Sequence, residues 1–196
     1  MTGKLVPLRR VTGEVTELSD EALVAACATG DTAALGALFD RFNVAVYRFV
    51  ARLATVDEAA RDDVVQATFL EVQRCAAKFR GGSSVKTWIL GVAANVARRA
   101  LRGERRRRAR QAVFLVEHET VEAVRPDATI ERRRLMARIA DALAQLPHDQ
   151  QVAFVMCDLE QLTGVEVARA LRIPEGTLWR RLHQARKAMR DAMRTP

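Results

Sequence analysis

Apolar residues in this chain recur at three- and four-residue steps and almost nowhere alternate, which limits the fold to packed helices. Leu35, Leu38, Phe39, Phe42, Val46, Phe49, Val50 and Leu53 keep the spacing of one helix face from Asp31 onward. Residues 60–79 repeat the pattern with Val64, Val65, Thr68, Phe69, Val72, Ala76 and Phe79. Gly81-Gly82-Ser83-Ser84 breaks it. A third segment carries Ile89, Val92, Ala93, Val96 and Ala100 on one face and runs into Arg102 and a block of arginines at 105–108. Residues 111–129 lose the pattern, carry Glu117, Glu119 and Glu122, and end near Pro126-Asp127, as a linker does. Ile130, Leu135, Ile139, Leu143 and Leu146 open a second helical unit, which Pro147 punctuates and Val152, Val155, Met156 and Leu159 continue. Residues 1–17 have no period and read as a mobile tail. The expected fold is all-α. Two small helical domains, at 18–110 and 130–196, are joined by a flexible linker at 111–129.

The end of the second unit has the signature of a helix-turn-helix. Thr163-Gly164-Val165-Glu166 has the form of a capping box, a hydroxyl three residues before a carboxylate. Val165, Ala168 and Leu171 then make a short amphipathic helix, and Arg172-Ile173-Pro174 makes a turn. Leu178, Leu182, Ala185 and Met189 mark the buried face of the next helix. Thr177, Arg180, Arg181, Gln184 and Lys187 fall largely on its other side. The second helix of such a motif enters the major groove, where Arg and Gln can each bond a base edge twice. The bland alternative is a helical hairpin with a solvated basic face.

Charge supports the DNA reading. The 196 residues carry a net +8, which suggests an anionic partner. Residues 91–112 carry +7 and residues 171–196 carry +5, while the rest of the chain carries −4. Both basic stretches end or follow an apolar helical segment. The first continues a helix with Lys86, Thr87, Trp88 and Asn95. A cationic helix with an exposed aromatic suits single-stranded nucleic acid. Trp88 could equally be core, since Val92 lies four residues on. The Gly81–Ser84 stretch is either a plain connector or a loop whose backbone approaches a ligand.

Other classes lack support. Cys27, Cys75 and Cys157 are odd in number, with no CxxC spacing, and His118, His148 and His183 are scattered. Neither a disulfide framework nor a zinc site follows, and free thiols suit a reducing cytosol. No apolar stretch follows Lys4, Arg9 and Arg10, so no signal peptide is expected. No run of about 18 apolar residues occurs, so no membrane insertion is expected. Paired carboxylates, a His/Cys cluster or a P-loop Gly-Lys pair at usable spacing are missing, which speaks against a nucleic-acid-processing enzyme. No cofactor or metal is expected.

The residues also resemble a known family. Asp63-Val64-Val65-Gln66-Ala67-Thr68-Phe69-Leu70 resembles the DLVQETFL signature of bacterial RNA polymerase sigma factors. The stretch from Phe79 to Ile89, with Asn95 and the arginines after it, resembles their promoter-melting segment. Leu146-Pro147, Glu166-Val167-Ala168, Ile173-Pro174-Glu175-Gly176-Thr177 and Arg181-Leu182-His183-Gln184-Ala185-Arg186 resemble their second conserved region. With only these two regions, the match is to the compact extracytoplasmic-function group.

The resemblance implies a cytoplasmic, non-enzymatic promoter-specificity subunit. Asp62, Asp63, Gln66 and Phe69 are expected to dock on core RNA polymerase. The −10 element, opened into single strands, is expected to meet Phe79, Arg80, Ser83 and Ser84 of the loop. It would also meet Lys86, Thr87, Trp88, Asn95, Arg98 and Arg102 of the helix. The duplex −35 element is expected to meet Glu175, Gly176, Thr177, Arg180, Arg181, Gln184 and Lys187. An anti-sigma factor is the further partner implied. The sequence departs from the family at Ala67, Gln73, Ala94, Arg99, Arg172, Trp179 and Arg180, so its −35 preference is expected to be its own. The docking departures leave one alternative, a sigma-like DNA-binding regulator that does not engage polymerase.

Overall fold

The computed structural model describes residues 17–111 and 137–194, with side chains of the long fourth helix described to Glu104. The expected tail, most of the expected linker and the start of the second unit lie outside those residues. Among the described residues there are helices and turns but no strand. Helix α1 spans Asp20–Ala28 and α2 spans Thr32–Arg52. Helix α3 spans Arg61–Cys75 and α4 spans Val85–Gln111. Helix α5 is described over 137–144, and α6 spans His148–Phe154 before a π-helical turn, Val155–Leu159. Helix α7 spans Gly164–Leu171 and α8 spans Glu175–Arg194.

The starts of α1 and α2 are fixed locally. The Ser19 hydroxyl accepts from the Ala22 N–H, and the Asp31 carboxylate accepts from Ala33 and Ala34. Helix α1 was not evident from periodicity. Its nine residues offer only Leu23, Val24 and Cys27 to the core, too few to show a period. Its start is held by chemistry instead, as Arg41 bonds both Asp20 and the Leu18 carbonyl.

The first unit's core is what the spacing predicts. Leu35, Leu38, Phe42, Val46, Phe49 and Val50 of α2 are buried against Val64, Val65, Phe69 and Val72 of α3 and Ile89, Ala93 and Val96 of α4. The second unit has a small cluster of its own, Leu143, Leu146, Ala185 and Met189. The remainder was not anticipated. Val152, Val155, Met156, Val167, Ala168, Leu178 and Leu182 join the first unit's cluster. The two units therefore share one apolar core, with α4 and α7 packed on each other. At that seam Gly91 lies so close to α7 that a Cβ there would sit 2.7 Å from the Ala170 carbonyl oxygen. Only glycine permits that approach.

Candidate nucleic-acid interface

The helix-turn-helix forms as the sequence predicts. The Thr163 hydroxyl caps α7 by accepting from the Glu166 N–H at 3.3 Å. The Glu166 carboxylate accepts from that hydroxyl at 2.9 Å. Arg172 closes α7 in the left-handed region, φ 56 and ψ 46, and its N–H and that of Ile173 satisfy the Arg169 and Ala168 carbonyls. The Pro174 carbonyl then accepts from Thr177 and Leu178, starting α8. With Leu178, Leu182, Ala185 and Met189 buried, α8 turns Glu175, Gly176, Arg180, Gln184 and Lys187 to the outside. Thr177 and Arg181 are half-buried. Gln184 accepts from the Gln150 amide at 3.1 Å. Arg186 grips Asp158 through two bonds of 2.9 and 2.6 Å, which raises the guanidinium's proton affinity further.

The second cationic surface is α4 and the loop before it. Ser84 caps α4, its hydroxyl accepting from the Thr87 N–H at 3.1 Å and pairing with the Thr87 hydroxyl at 2.8 Å. This spends the Thr87 side chain, which is fully buried. Trp88 is only 6% exposed and leans on Phe79 with ring centroids 5.1 Å apart. Thr87 and Trp88, expected to face the −10 strands, are thus interior. The core alternative describes Trp88, whose indole fills the space that Phe79 half-covers. Lys86, Ser83, Asn95 and Arg98 are half-buried, while Arg80, Ser84 and Arg102 are exposed. Arg98 donates to the Asn95 amide oxygen at 2.7 Å, and Asn95 in turn donates to the Gly91 carbonyl at 3.0 Å. The guanidinium of Arg80 is tied to the Ala77 carbonyl at 2.7 Å.

Spacing alone did not show that these cations already have anions. Lys86 pairs with Glu160 at 3.1 Å, and Glu160 also takes Arg52. Asp149 bridges both surfaces, pairing with Arg181 at 2.6 Å and Arg98 at 3.7 Å. The Ser84 N–H donates to Glu166 at 3.3 Å, and Arg169 donates to the Gly82 carbonyl at 3.1 Å. His148 lies buried at the seam, with Nδ1 2.9 Å from the Thr55 hydroxyl and Nε2 3.2 Å from the Ala94 carbonyl. Burial pushes its pKa down from 6.5, Arg98 and Arg102 push the same way, and the Ala94 bond and Asp149 oppose them. A cleft of about 320 Å³ between the units is lined by Asn95, Arg98, His148, Asp149, Arg172 and Arg181. Sequence reasoning missed Asp149, Glu160, His148 and Gly91. The available traces were the acidic balance of the second unit and a glycine inside a helix.

The expected docking face is on α3. Asp62, Asp63 and Gln66 are exposed there, at the helix start where the backbone dipole favours carboxylates. Phe69 does not join them. It is 1% exposed and meets Phe39 edge-on, centroids 4.9 Å apart. It supports the face from beneath, packed on the side of α3 that also buries Val65, Thr68 and Val72. The neighbouring Leu70 is the exposed apolar residue of that helix. Among the described residues no group of His, Cys, Asp and Glu could hold a metal ion, and no helix is long and apolar enough to cross a membrane.

Comparison with known proteins agrees with this layout. The family model for Sigma-70 region 2 matches residues 38–107, and that for Sigma-70 region 4 matches residues 136–189. The chain is 27% identical over 186 residues to the RNA polymerase sigma-H factor of Pseudomonas aeruginosa, covering 91% of this chain and 96% of that one. It is 28% identical over 182 residues to the ECF RNA polymerase sigma-E factor of Haemophilus influenzae, covering 89% and 95%. Its fold is shared with CnrH, solved in complex with the cytosolic domain of CnrY, at a TM-score of 0.61 and 22% identity over 89% of this chain and 96% of that one. The sigma factor RpoE of Bartonella quintana, solved with the anti-sigma factor NepR, shares it at 0.61 and 18% over 80% and 94%. With region 2 and region 4 present in order, and with relatives aligned over nearly their whole length, the chain belongs to the sigma-70 family of RNA polymerase sigma factors, in its extracytoplasmic-function group.

Proposed function

We propose that this sigma factor reads promoters with two surfaces that the free chain holds against its own carboxylates. Region 2, at 18–110, docks on core RNA polymerase through Asp62, Asp63 and Gln66, an acidic and amide face suited to a basic partner. The loop 79–84 and α4 engage the opened −10 element, with Lys86, Arg98 and Arg102 on phosphates and Asn95 on a base or the backbone. Thr87 and Trp88 brace that helix from inside. Region 4, at 130–196, sets α8 in the major groove of the −35 duplex, where Arg180, Arg181 and Gln184 meet base edges and Lys187 a phosphate. The linker, 111–129, spans the two within the polymerase. The chain acts in the cytoplasm by binding, without a reaction of its own.

One observation carries this reading. Lys86 and Arg98, on the proposed −10 surface, each hold a carboxylate from region 4 where a phosphate would sit, and Arg181, on the proposed −35 surface, holds one where a base edge would sit. Promoter binding then exchanges anions, and the units part. The relatives solved with CnrY and NepR support a cytosolic anti-sigma partner for this chain as well.

The test is reconstitution. Purified chain plus core polymerase should start transcription at discrete sites in a genomic promoter library, and Asp63→Ala should weaken capture of core polymerase. Absence of specific initiation across the library sinks the proposal. Capture of polymerase unchanged by Asp63→Ala sinks the docking assignment.

A further inference from the structure

We propose that Trp179 is a specificity residue of the −35 contact, reading the 5-methyl group of a thymine, and that Gly164 positions it. This rests on the proposed reading of duplex DNA by α8. The chain has two tryptophans. Trp88 is interior, but Trp179 is 49% exposed in the second turn of α8. The residues beside it on that surface, Arg180 and His183, are exposed and polar. A large indole facing outward on a cationic helix is unusual, and the adjoining apolar surface extends it. Val165, next to Gly164 on α7, is 38% exposed.

The ring is seated, not loose. A Cβ on Gly164 would lie 2.5 Å from Trp179 Cζ2, 2.6 Å from Cη2 and 3.2 Å from Cε2. The six-membered edge of the indole therefore rests on bare backbone at the start of α7, and no other residue type leaves room for it there. That seat fixes the ring between the two helices of the motif before DNA arrives, so little side-chain entropy remains to be lost. The early residues of a recognition helix are the ones that reach base edges. Of the groups lining the major groove, the thymine methyl is the one that an apolar surface selects. Arg180 beside the ring supplies the charge that draws this corner onto phosphate-rich duplex.

The experiment uses the full chain bound to core polymerase and a duplex library randomised across the −35 element. Each thymine of the selected −35 sequence is then replaced by deoxyuridine, which deletes only the methyl group. At one position the wild type should lose about 4-fold in affinity, the worth of one buried methyl. Trp179→Ala should bind the thymine and deoxyuridine duplexes equally. Gly164→Ala, which displaces the ring, should shrink the same ratio while helix content and melting temperature hold. Three results overturn the proposal. Trp179→Ala could keep the wild-type deoxyuridine profile. It could weaken all duplexes alike, which would place the ring on the sugar-phosphate backbone. It could lose polymerase and keep its DNA preference, which would make the patch a protein contact. If the wild type selects no −35 sequence at all, the underlying reading of α8 fails, and the role of Trp179 fails with it.

Discussion

Gly91→Ala isolates the contact that holds the two units together. Two effects of opposite sign act on the same residue. Inside α4, alanine is about 0.8–1 kcal/mol better than glycine as a helix former. At the seam, the new Cβ would sit 2.7 Å from the Ala170 oxygen, 3.0 Å from its carbonyl carbon and 3.1 Å from its Cβ. The nearest obstacle is backbone, so no side-chain rotation relieves it, and α4 and α7 must separate by roughly 0.5–1 Å to restore van der Waals contact. Overpacking of this kind costs about 1–3 kcal/mol. The cost falls on the closed arrangement only, while the helix gain is kept in the closed and open forms alike. The closed-to-open ratio should therefore drop about 5- to 150-fold as region 2 itself becomes slightly more stable. Small-angle scattering should show a larger radius of gyration, and single-stranded −10 DNA should bind more tightly as the open fraction rises. An unchanged radius of gyration with an unchanged or higher melting temperature would refute the reasoning, because it would mean that the seam absorbs a methyl group without parting.

Other consequences are local. Arg172→Gly should stabilise the chain by about 1 kcal/mol, near 2–4 °C in melting temperature, since Arg172 holds φ 56; a lower melting temperature would show that the arginine side chain outweighs the strain. His148 has a folded pKa below its ordinary 6.5, so the unfolded chain binds the extra proton first. Its contribution to stability should be fully present above pH 6.5 and be lost as pH falls from there, and His148→Gln should flatten denaturation midpoints measured between pH 7 and 5. Cys27 is buried, and desolvation together with nearby Asp31 raises its pKa to about 11. Native protein at pH 8 should leave Cys27 unalkylated by iodoacetamide while denatured protein reacts, and rapid native labelling would contradict the burial.

Local features were legible in the sequence and long-range ones were not. The spacing of Leu35, Leu38, Phe42, Val46 and Phe49 found the buried face of α2 because one turn of helix repeats the same environment. Thr163, Arg172 and Pro174 found the helix-turn-helix because caps and turns are settled within a few residues. The meeting of α4 with α7 leaves no such trace, since Lys86 and Glu160 are 74 residues apart and nothing periodic links them. Phe69 and Trp88 show the converse limit. An aromatic within a recognised motif reads equally well as a contact or as the packing beneath one, and their burial decides for packing.

The pairing of Glu160 and Asp149 with the cations proposed to meet DNA also changes how this chain should respond to salt. Affinity for DNA normally falls with ionic strength by an amount set by how many phosphates are neutralised, because each contact frees a condensed counterion. In that reading Lys86 and Arg98 do not arrive bare; each leaves a carboxylate to meet a phosphate. Salt that weakens the DNA contact weakens the internal pair as well, and the two dependences offset each other. A plot of log affinity against log salt should therefore be shallower than a count of phosphate contacts in the complex would give. Neutralising Glu160 and Asp149 together should steepen it.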